Sequence, residues 1–485
     1  MKKAIVFLLL ITLFIPNITL GTPLDFTGGV QNEYKYEEIV FITGEPIKFT
    51  GTYSVSEKEK DNELSVTYEF KLTTEDTSLN GKLDRKITYT TIYDKHNKVG
   101  QTIGQTTVTK YKETIKFDKD TYELKDYQFS KSDVIDERPA STFYSGNFKG
   151  RKYYEYNKNR GYIIIEITGG NVGYENFWGS TETQIVDNII EANIYPTDES
   201  DGESWTGTYS YQVSDSMTKS LRYSENDATF SSFNGGYIRI TERETVSRYS
   251  YNLPNAKGTI SLNQEMVPKL ERLIVPKFRD VNGHWAEEYI EKLYSLDVFD
   301  DNSDIFAPDV PMTRLDFTKA IMRACDIRAT MEEEKATKRI SRKKTEAEPS
   351  YFTDISTDNP DYQYIKAAVD KGIIKGISQD LFGPKKSLTR AEAVTILIRA
   401  LGFENKAPNP GYITSFSDDR QIPSWAKDSI YMAKEIGLIQ GDTLNRANPN
   451  QALTRAEASA LIVRFLEFLE KDLQKDYREN IINYY

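Results

Sequence analysis

The hydrophobic pattern changes its period once along the chain. From about Thr22 to Pro268, apolar and polar residues alternate. In "ELSVTYEFKL", Leu64, Val66, Tyr68, Phe70 and Leu72 fall on one side, and Ser65, Thr67, Glu69 and Lys71 on the other. Successive side chains of a strand point to opposite faces, so a period of two predicts a half-buried strand. "RKITYTTIY", "TVTKYKETIKF", "GYIIIEIT" and "GYIRITERETVSRYSY" read the same way. Turn signals at Asn80-Gly81, Gly169-Gly170 and Asn234-Gly235-Gly236 separate such runs. Residues 22–268 are therefore expected to form one or two mainly antiparallel β domains, a sandwich or a large curved sheet.

After about Glu271 the period becomes helical, and three segments align on one another: 278–327, 352–403 and 416–469. Each opens with Phe-x-Asp, at Phe278, Phe352 and Phe416. Each has a first helix, around Ile290, Ile365 or Ile430. A polar loop with Phe306-Ala-Pro308, Phe382-Gly-Pro384 or Ala447-Asn-Pro449 follows, and a Thr-Arg pair then starts a second helix. Repeats of this size are units that bury their apolar faces only by packing on each other. Residues 331–350 form a charged insertion with few apolar residues, expected to be solvated, and 470–485 a C-terminal tail.

The second helices carry two kinds of information. Val394, Leu397, Ile398 and Leu401, and likewise Ala458, Leu461, Ile462 and Phe465, fall at helical spacing and are candidate core. Thr389 with Glu392, and Thr454 with Glu457, have the spacing of a capping box; Thr313 with Asp316 is a shorter-armed form. Arg314, Arg390 and Arg455 need another reason, because a cation at a helix N-terminus opposes the helix dipole. Free N–H groups beside a guanidinium fork would suit a carboxylate or phosphate. An ion pair to an acid of a neighbouring repeat is the other explanation.

Charge and composition narrow the function. The chain of 485 residues has a net charge of -11, which argues against nucleic acid as a partner. "MKKAIVFLLLITLFIPNITLG" reads as a secretory signal peptide over residues 1–21. No later stretch has the ~18 apolar residues that a membrane span needs. Cys325 is the one cysteine, so no internal disulfide is expected; it sits in an apolar helical pattern as a small core residue.

The three segments resemble S-layer homology repeats, the modules that hold bacterial surface proteins on the cell wall. The resemblance runs from Phe278 to about Leu466. It rests on Phe-x-Asp, Trp-Ala, Gly-x-x-x-Gly, Phe-x-Pro and Thr-Arg-Ala-Glu recurring in order. It implies an α-helical, pseudo-trimeric unit with grooves between repeats. In the family those grooves bind secondary cell-wall polysaccharide, often bearing a pyruvate ketal whose carboxylate the motif Arg takes. By that resemblance the candidate binding residues are Arg390, Arg455 and Arg314, with Asp354, Asp418, Asp280, Trp425, Trp285, Gly376 and Gly441. Trp285 and Trp425 could stack on sugar rings or lie in the core. The second repeat has Pro360 in the Trp position, and the first has Asp297 and Asp301 where the others have glycines. Carboxylates there would repel an anionic ligand and weaken the first repeat's groove. Other S-layer or envelope proteins are further candidate partners.

The β half shows no enzyme signature. Its candidate chemistry is limited by two histidines in the whole chain, His96 and His284, neither with metal-ligand spacing. No cofactor is expected. Acidic loops near Asp300–Asp304 and Asp198–Glu203 could ligate calcium, but the EF-hand spacing is absent. A glycosidase pair among the many carboxylates would need a cleft, for example beside Trp178 or Trp205. The 32 tyrosines are explained by strand propensity and cross-strand packing, or by glycan binding. The resulting reading is a non-enzymatic surface protein, secreted and anchored to a bacterial wall, that displays a β-rich structural or adhesive module. The alternative is a wall-tethered carbohydrate-active enzyme or ligand-binding protein with its site in the β half.

Overall fold

The structure, a computed structural model, describes residues 25–96, 101–196, 201–224, 236–276, 278–300, 303–325 and 350–472. The expected signal peptide, nearly all of the charged insertion, Asn234-Gly235, Asp301 and most of the C-terminal tail lie outside the described residues.

The alternating half folds into one 14-stranded antiparallel sheet. Its strands follow in chain order from β1 (Val30–Gln31) and β2 (Tyr36–Val40) to β12 (Gly236–Asn252) and β13 (Lys257–Glu265), with β14 (Lys269–Arg272) also on β12. The sheet thus runs past Pro268 to Arg272. Such a meander needs only hairpins, and successive strands pair along most of their length. The sheet curls into a nearly closed barrel. Across the remaining gap, Asn32 Nδ2 donates to Gln264 Oε1 (2.7 Å), and Gln264 Nε2 to Glu37 Oε2 (2.9 Å).

Alternation decides what fills the barrel. Val66, Tyr68, Phe70 and Leu72 point inward and are buried, as the period predicts. Residues Asp25–Gly29 run inside. Phe26 packs against Tyr89, Phe129 and Phe148 with ring centroids 5.0, 4.6 and 5.0 Å away. Tyr211 OH donates to Phe26 O at 2.7 Å. A buried ion network sits nearby: Arg85 donates to Glu38 (2.7 and 2.9 Å) and Glu113 (2.9 Å), and Lys152 reaches Glu113 at 3.3 Å.

The helical half contains α1 (Glu287–Ser295), α2 (Arg314–Ala324), α3 (Tyr362–Asp370), α4 (Arg390–Leu401), α5 (Lys427–Glu435) and α6 (Arg455–Glu467). The predicted stripe residues of α4 and α6 are all buried in one core shared by the three repeats. Cys325 is half-buried at the end of α2. The core also takes in Ala140, Tyr174 and Trp178 from the outside of the barrel. Ala140 N donates to Ala400 O (3.0 Å) and Asn176 Nδ2 to Leu469 O (3.0 Å), so the two halves share packing and hydrogen bonds.

Candidate functional site

Each second helix starts on a clasp made by another repeat. Arg314 N donates to Lys386 O (2.9 Å) and Leu315 N to Pro384 O (3.1 Å). Arg390 N and Ala391 N donate to Gln451 O and Pro449 O, both at 2.9 Å. Arg455 N and Ala456 N close the cycle on Val310 O and Pro308 O, both at 2.9 Å. Repeat 1 therefore rests on 2, 2 on 3 and 3 on 1. This corrects one expectation: the first N–H groups of these helices are not left for an anion. Their neighbours' proline loops satisfy the donors that a helix start leaves unpaired. The next donor goes to the cap: Thr389 and Thr454 form full capping boxes with Glu392 and Glu457. Thr313 instead accepts from Asp316 N at 3.1 Å while its hydroxyl donates to the Asp316 carboxylate at 2.6 Å, since Asp is too short to reach back.

The arginine side chains lie in the seams between repeats. Arg314 is 6% exposed; its Nη2 donates to Lys375 O at 2.6 Å and its guanidinium stands 5.3 Å from the Phe382 ring centre. Arg390 Nη2 donates to Gln440 O at 3.3 Å. The Arg455 guanidinium lies 4.4 Å from the Phe306 ring centre. Burial pulls the pKa of Arg314 down; Glu392 opposes this and the like charge of Arg399 adds to it. Arg390 is shifted the same way by burial, with Glu457 opposing and Arg464 adding.

The Arg314 seam opens into a groove of about 380 Å³. Arg314, Lys375, Lys386 and Arg399 line it against one carboxylate, Glu392, and Trp425 forms part of its wall. Trp425 is 50% exposed and Trp285 59%, so neither is a core residue. Gly376 lines the same groove. A Cβ there would collide with the Ser378 and Leu381 carbonyls, and one at Gly441 with Asn445.

The motif aspartates are engaged by backbone. Asp280 accepts from Phe306 N and Ala307 N (2.9 and 2.6 Å). Asp354 accepts from Phe382 N and Gly383 N (2.9 and 2.7 Å), and Asp418 from Ala447 N and Asn448 N (2.8 and 2.9 Å). These bonds fix the loop that clasps the previous repeat. Burial raises the Asp280 pKa, but the two loop N–H groups outweigh it and hold the carboxyl below its usual range.

Of the acidic stretch of repeat 1, the described Asp297 and Asp300 form no ion pair with Arg314. Asp297 takes the left-handed turn (φ 57°) that Gly372 and Gly437 take at 70° and 75°. Asp300 pairs with Lys319 (3.0 Å) and Arg323 (2.5 Å). By the alignment of the repeats, Asp300 corresponds to Lys375, and repeat 1 clasps the helix of Arg455 as repeat 2 clasps that of Arg314. Arg455 packs on Phe306 and feels the charge of Asp280, both of repeat 1.

Sequence reasoning missed Arg399, Lys375 and Lys386. A signal existed: an arginine, Arg323, Arg399 or Arg464, recurs at one offset after each Thr-Arg pair. In the β half, Trp178 is buried against the helices, and Trp205 packs beside Gly44. His284 Nδ1 accepts from Ala286 N (3.1 Å), and His96 lies near Asp94 (3.3 Å). Among the described residues, no group of three or more His, Cys, Asp or Glu is arranged to hold a metal, and no helix is long and apolar enough to cross a membrane.

Three helical repeats are thus clasped in a cycle, with an arginine in each seam. The S-layer homology domain family matches residues 277–318, 351–394 and 415–459. The chain is 33% identical to an exoglucanase, XynX, of Acetivibrio thermocellus over 193 residues, 39% of this chain and 16% of that protein. It is 31% identical to an amylopullulanase of Thermoanaerobacterium thermosulfurigenes over 230 residues, 46% and 11% of the two chains. It is 34% identical to the surface-layer 125 kDa protein of Lysinibacillus sphaericus over 119 residues, 24% and 10%. The chain thus spans less than a fifth of the length of these relatives. It carries three S-layer homology domains and is a secreted, wall-anchored protein of the cell surface.

Proposed function

We propose that the three repeats bind an anionic, pyruvylated secondary cell-wall polysaccharide. On this reading the protein has no catalytic role and displays the barrel as a structural or adhesive module. The observation that carries the reading is the groove in which Arg314, Lys375, Lys386 and Arg399 surround one carboxylate, with Trp425 in the wall. A guanidinium fork takes a carboxylate in bidentate fashion, and an exposed Trp offers an apolar face to a sugar ring. Arg390 has the same backbone partner type in the second seam, and Trp285 occupies the matching place on repeat 1. The motif aspartates and Gly376 and Gly441 act on this reading by shaping the loops. Other envelope proteins would meet the barrel.

The test uses the full chain and purified wall sacculi, before and after removal of the non-peptidoglycan polysaccharide. Sedimentation with intact sacculi that disappears on stripping is the expected result. Equal sedimentation after stripping overturns the polysaccharide as ligand.

The glycosidase names of two relatives supply the second reading, a wall-tethered carbohydrate-active enzyme. That reading calls for a tryptophan-lined acidic cleft; neither Trp178, buried against the helices, nor Trp205 lines the acidic cavity of the barrel. Release of reducing sugar from wall glycan or from soluble glucans by the full chain would favour it.

A further inference from the structure

The barrel interior is divided by Phe26, which lines cavities on both of its sides. The smaller, of about 50 Å³, holds the network of Glu38, Arg85, Glu113 and Lys152, two acids matched by two bases. The larger, of about 220 Å³, lies toward the other end of the barrel. Four carboxylates line it: Asp133, Glu175, Glu182 and Asp215. Asp133 is answered by Lys131 at 2.9 Å, and Asp215 by Arg243 at 2.9 Å. Among the described residues, Glu175 and Glu182 form no such ion pair; Lys219 and Lys131 act on them only from further off. Amides hold Glu182 instead, Gln184 Nε2 at 3.2 Å and Asn171 Nδ2 at 3.3 Å. Asn171 also lines the cavity, is 5% exposed, and its Oδ1 accepts no hydrogen bond among the described residues.

The remaining wall is aromatic. Tyr68, Tyr89, Tyr93 and Tyr144 contribute to it, with Phe26 at the floor. The cavity already shows how it treats a cation: the Lys131 ammonium stands 5.6 Å from the Phe26 ring centre, beside Asp133. Ring faces and carboxylates both favour an ammonium group. An orphaned acceptor and two acids without an ion pair suit a donor that carries positive charge.

We infer that this cavity binds a small organic cation, an ammonium or guanidinium group on an apolar body. A dry cavity of roughly 150 Å³ takes a benzene, so this one admits a single-ring amine. Burial pushes Glu175 up to about 7 and raises Glu182, with Lys219 and Lys131 as the opposing charges. Burial outweighs both lysines at these carboxylates. The site is separate from the repeat grooves, whose proposed ligand has the opposite charge.

Isothermal titration of the full chain tests this, with phenethylammonium against its neutral isostere 2-phenylethanol. The cation is expected to bind at least about tenfold tighter. The double variant Glu175→Gln, Glu182→Gln should abolish that preference and keep the circular dichroism spectrum. If the double variant does not fold, Glu175→Gln alone, at the half-buried end of its strand, should lower the preference at least about threefold. Equal affinity for the two probes, a preference that survives substitution, or no binding of either probe overturns the assignment.

Discussion

Arg314 Nη1 stands 3.6 Å from Glu392 Oε1, across the seam between the first and second repeats. Glu392 Oε2 meanwhile accepts from Thr389 N at 2.9 Å, so one carboxylate caps its own helix and faces its neighbour's guanidinium. Burial raises the Glu392 pKa, but the Thr389 N–H, Lys386 and Arg314 outweigh it and keep the group ionised. The arginine at each helix start is thus tied to the neighbouring repeat and also lines the space between repeats.

Arg314→Ala combined with Arg399→Ala should weaken binding to intact sacculi at least about tenfold, from the ~1.5–3 kcal/mol of a charged hydrogen bond. Arg390→Ala should have a smaller effect. Arg455→Ala should have the least, because Asp300 aligns in its seam with the Lys375 of the Arg314 groove. Titration of each variant with sacculi checks the order; a dominant Arg455 effect would refute the cyclic assignment.

The capping threonines predict a stability effect without a binding effect. Thr389→Ala and Thr454→Ala each remove a full capping box and should cost about 0.5–2 kcal/mol. Denaturant melts of the full chain provide the measurement, with sacculus binding unchanged below the transition.

Arg85→Met should destabilise the barrel by about 3–5 kcal/mol, because it leaves Glu38 buried without its cation and Glu113 with Lys152 alone. Replacing Glu38 and Glu113 by Gln in the same chain should restore part of the loss. Unfolding midpoints of the two variants decide this.

Stability should rise and then fall with pH in adjacent windows. Burial raises Glu113, but Arg85 and Lys152 outweigh it and bring its pKa down to about 2. A depressed carboxyl stabilises the fold above its unfolded pKa of ~4.3 and loses that contribution as pH falls toward the folded value. Glu175 is the reverse: burial pushes it up to about 7. Its protonated form is favoured in the fold, so stability drops as pH rises from ~4.3 to the folded pKa, by about 4 kcal/mol at most. Glu175→Gln should flatten the fall at higher pH and leave the acid limb intact, as read from melting temperature against pH.

Much of this protein was determined along the chain. Period two in residues such as Leu64 to Leu72 specified strands with one buried face, and Thr-x-x-Glu specified where the helices of the second and third repeats begin. Both are local facts, set by neighbours in the sequence. The sequence equally determined that three similar units must share a core, and the family match bears on those same segments. Tertiary structure decided the rest. Whether the strands made a sandwich or one curled sheet depends on what the last strands meet, here the Asn32 and Glu37 side of the first hairpin. Which acid faces which arginine depends on the cyclic offset between repeats: Arg314 meets the loop of repeat 2 at Lys375, not the aspartates of its own repeat. Hydrogen bonds between distant segments set that offset, and no periodicity within a segment encodes them.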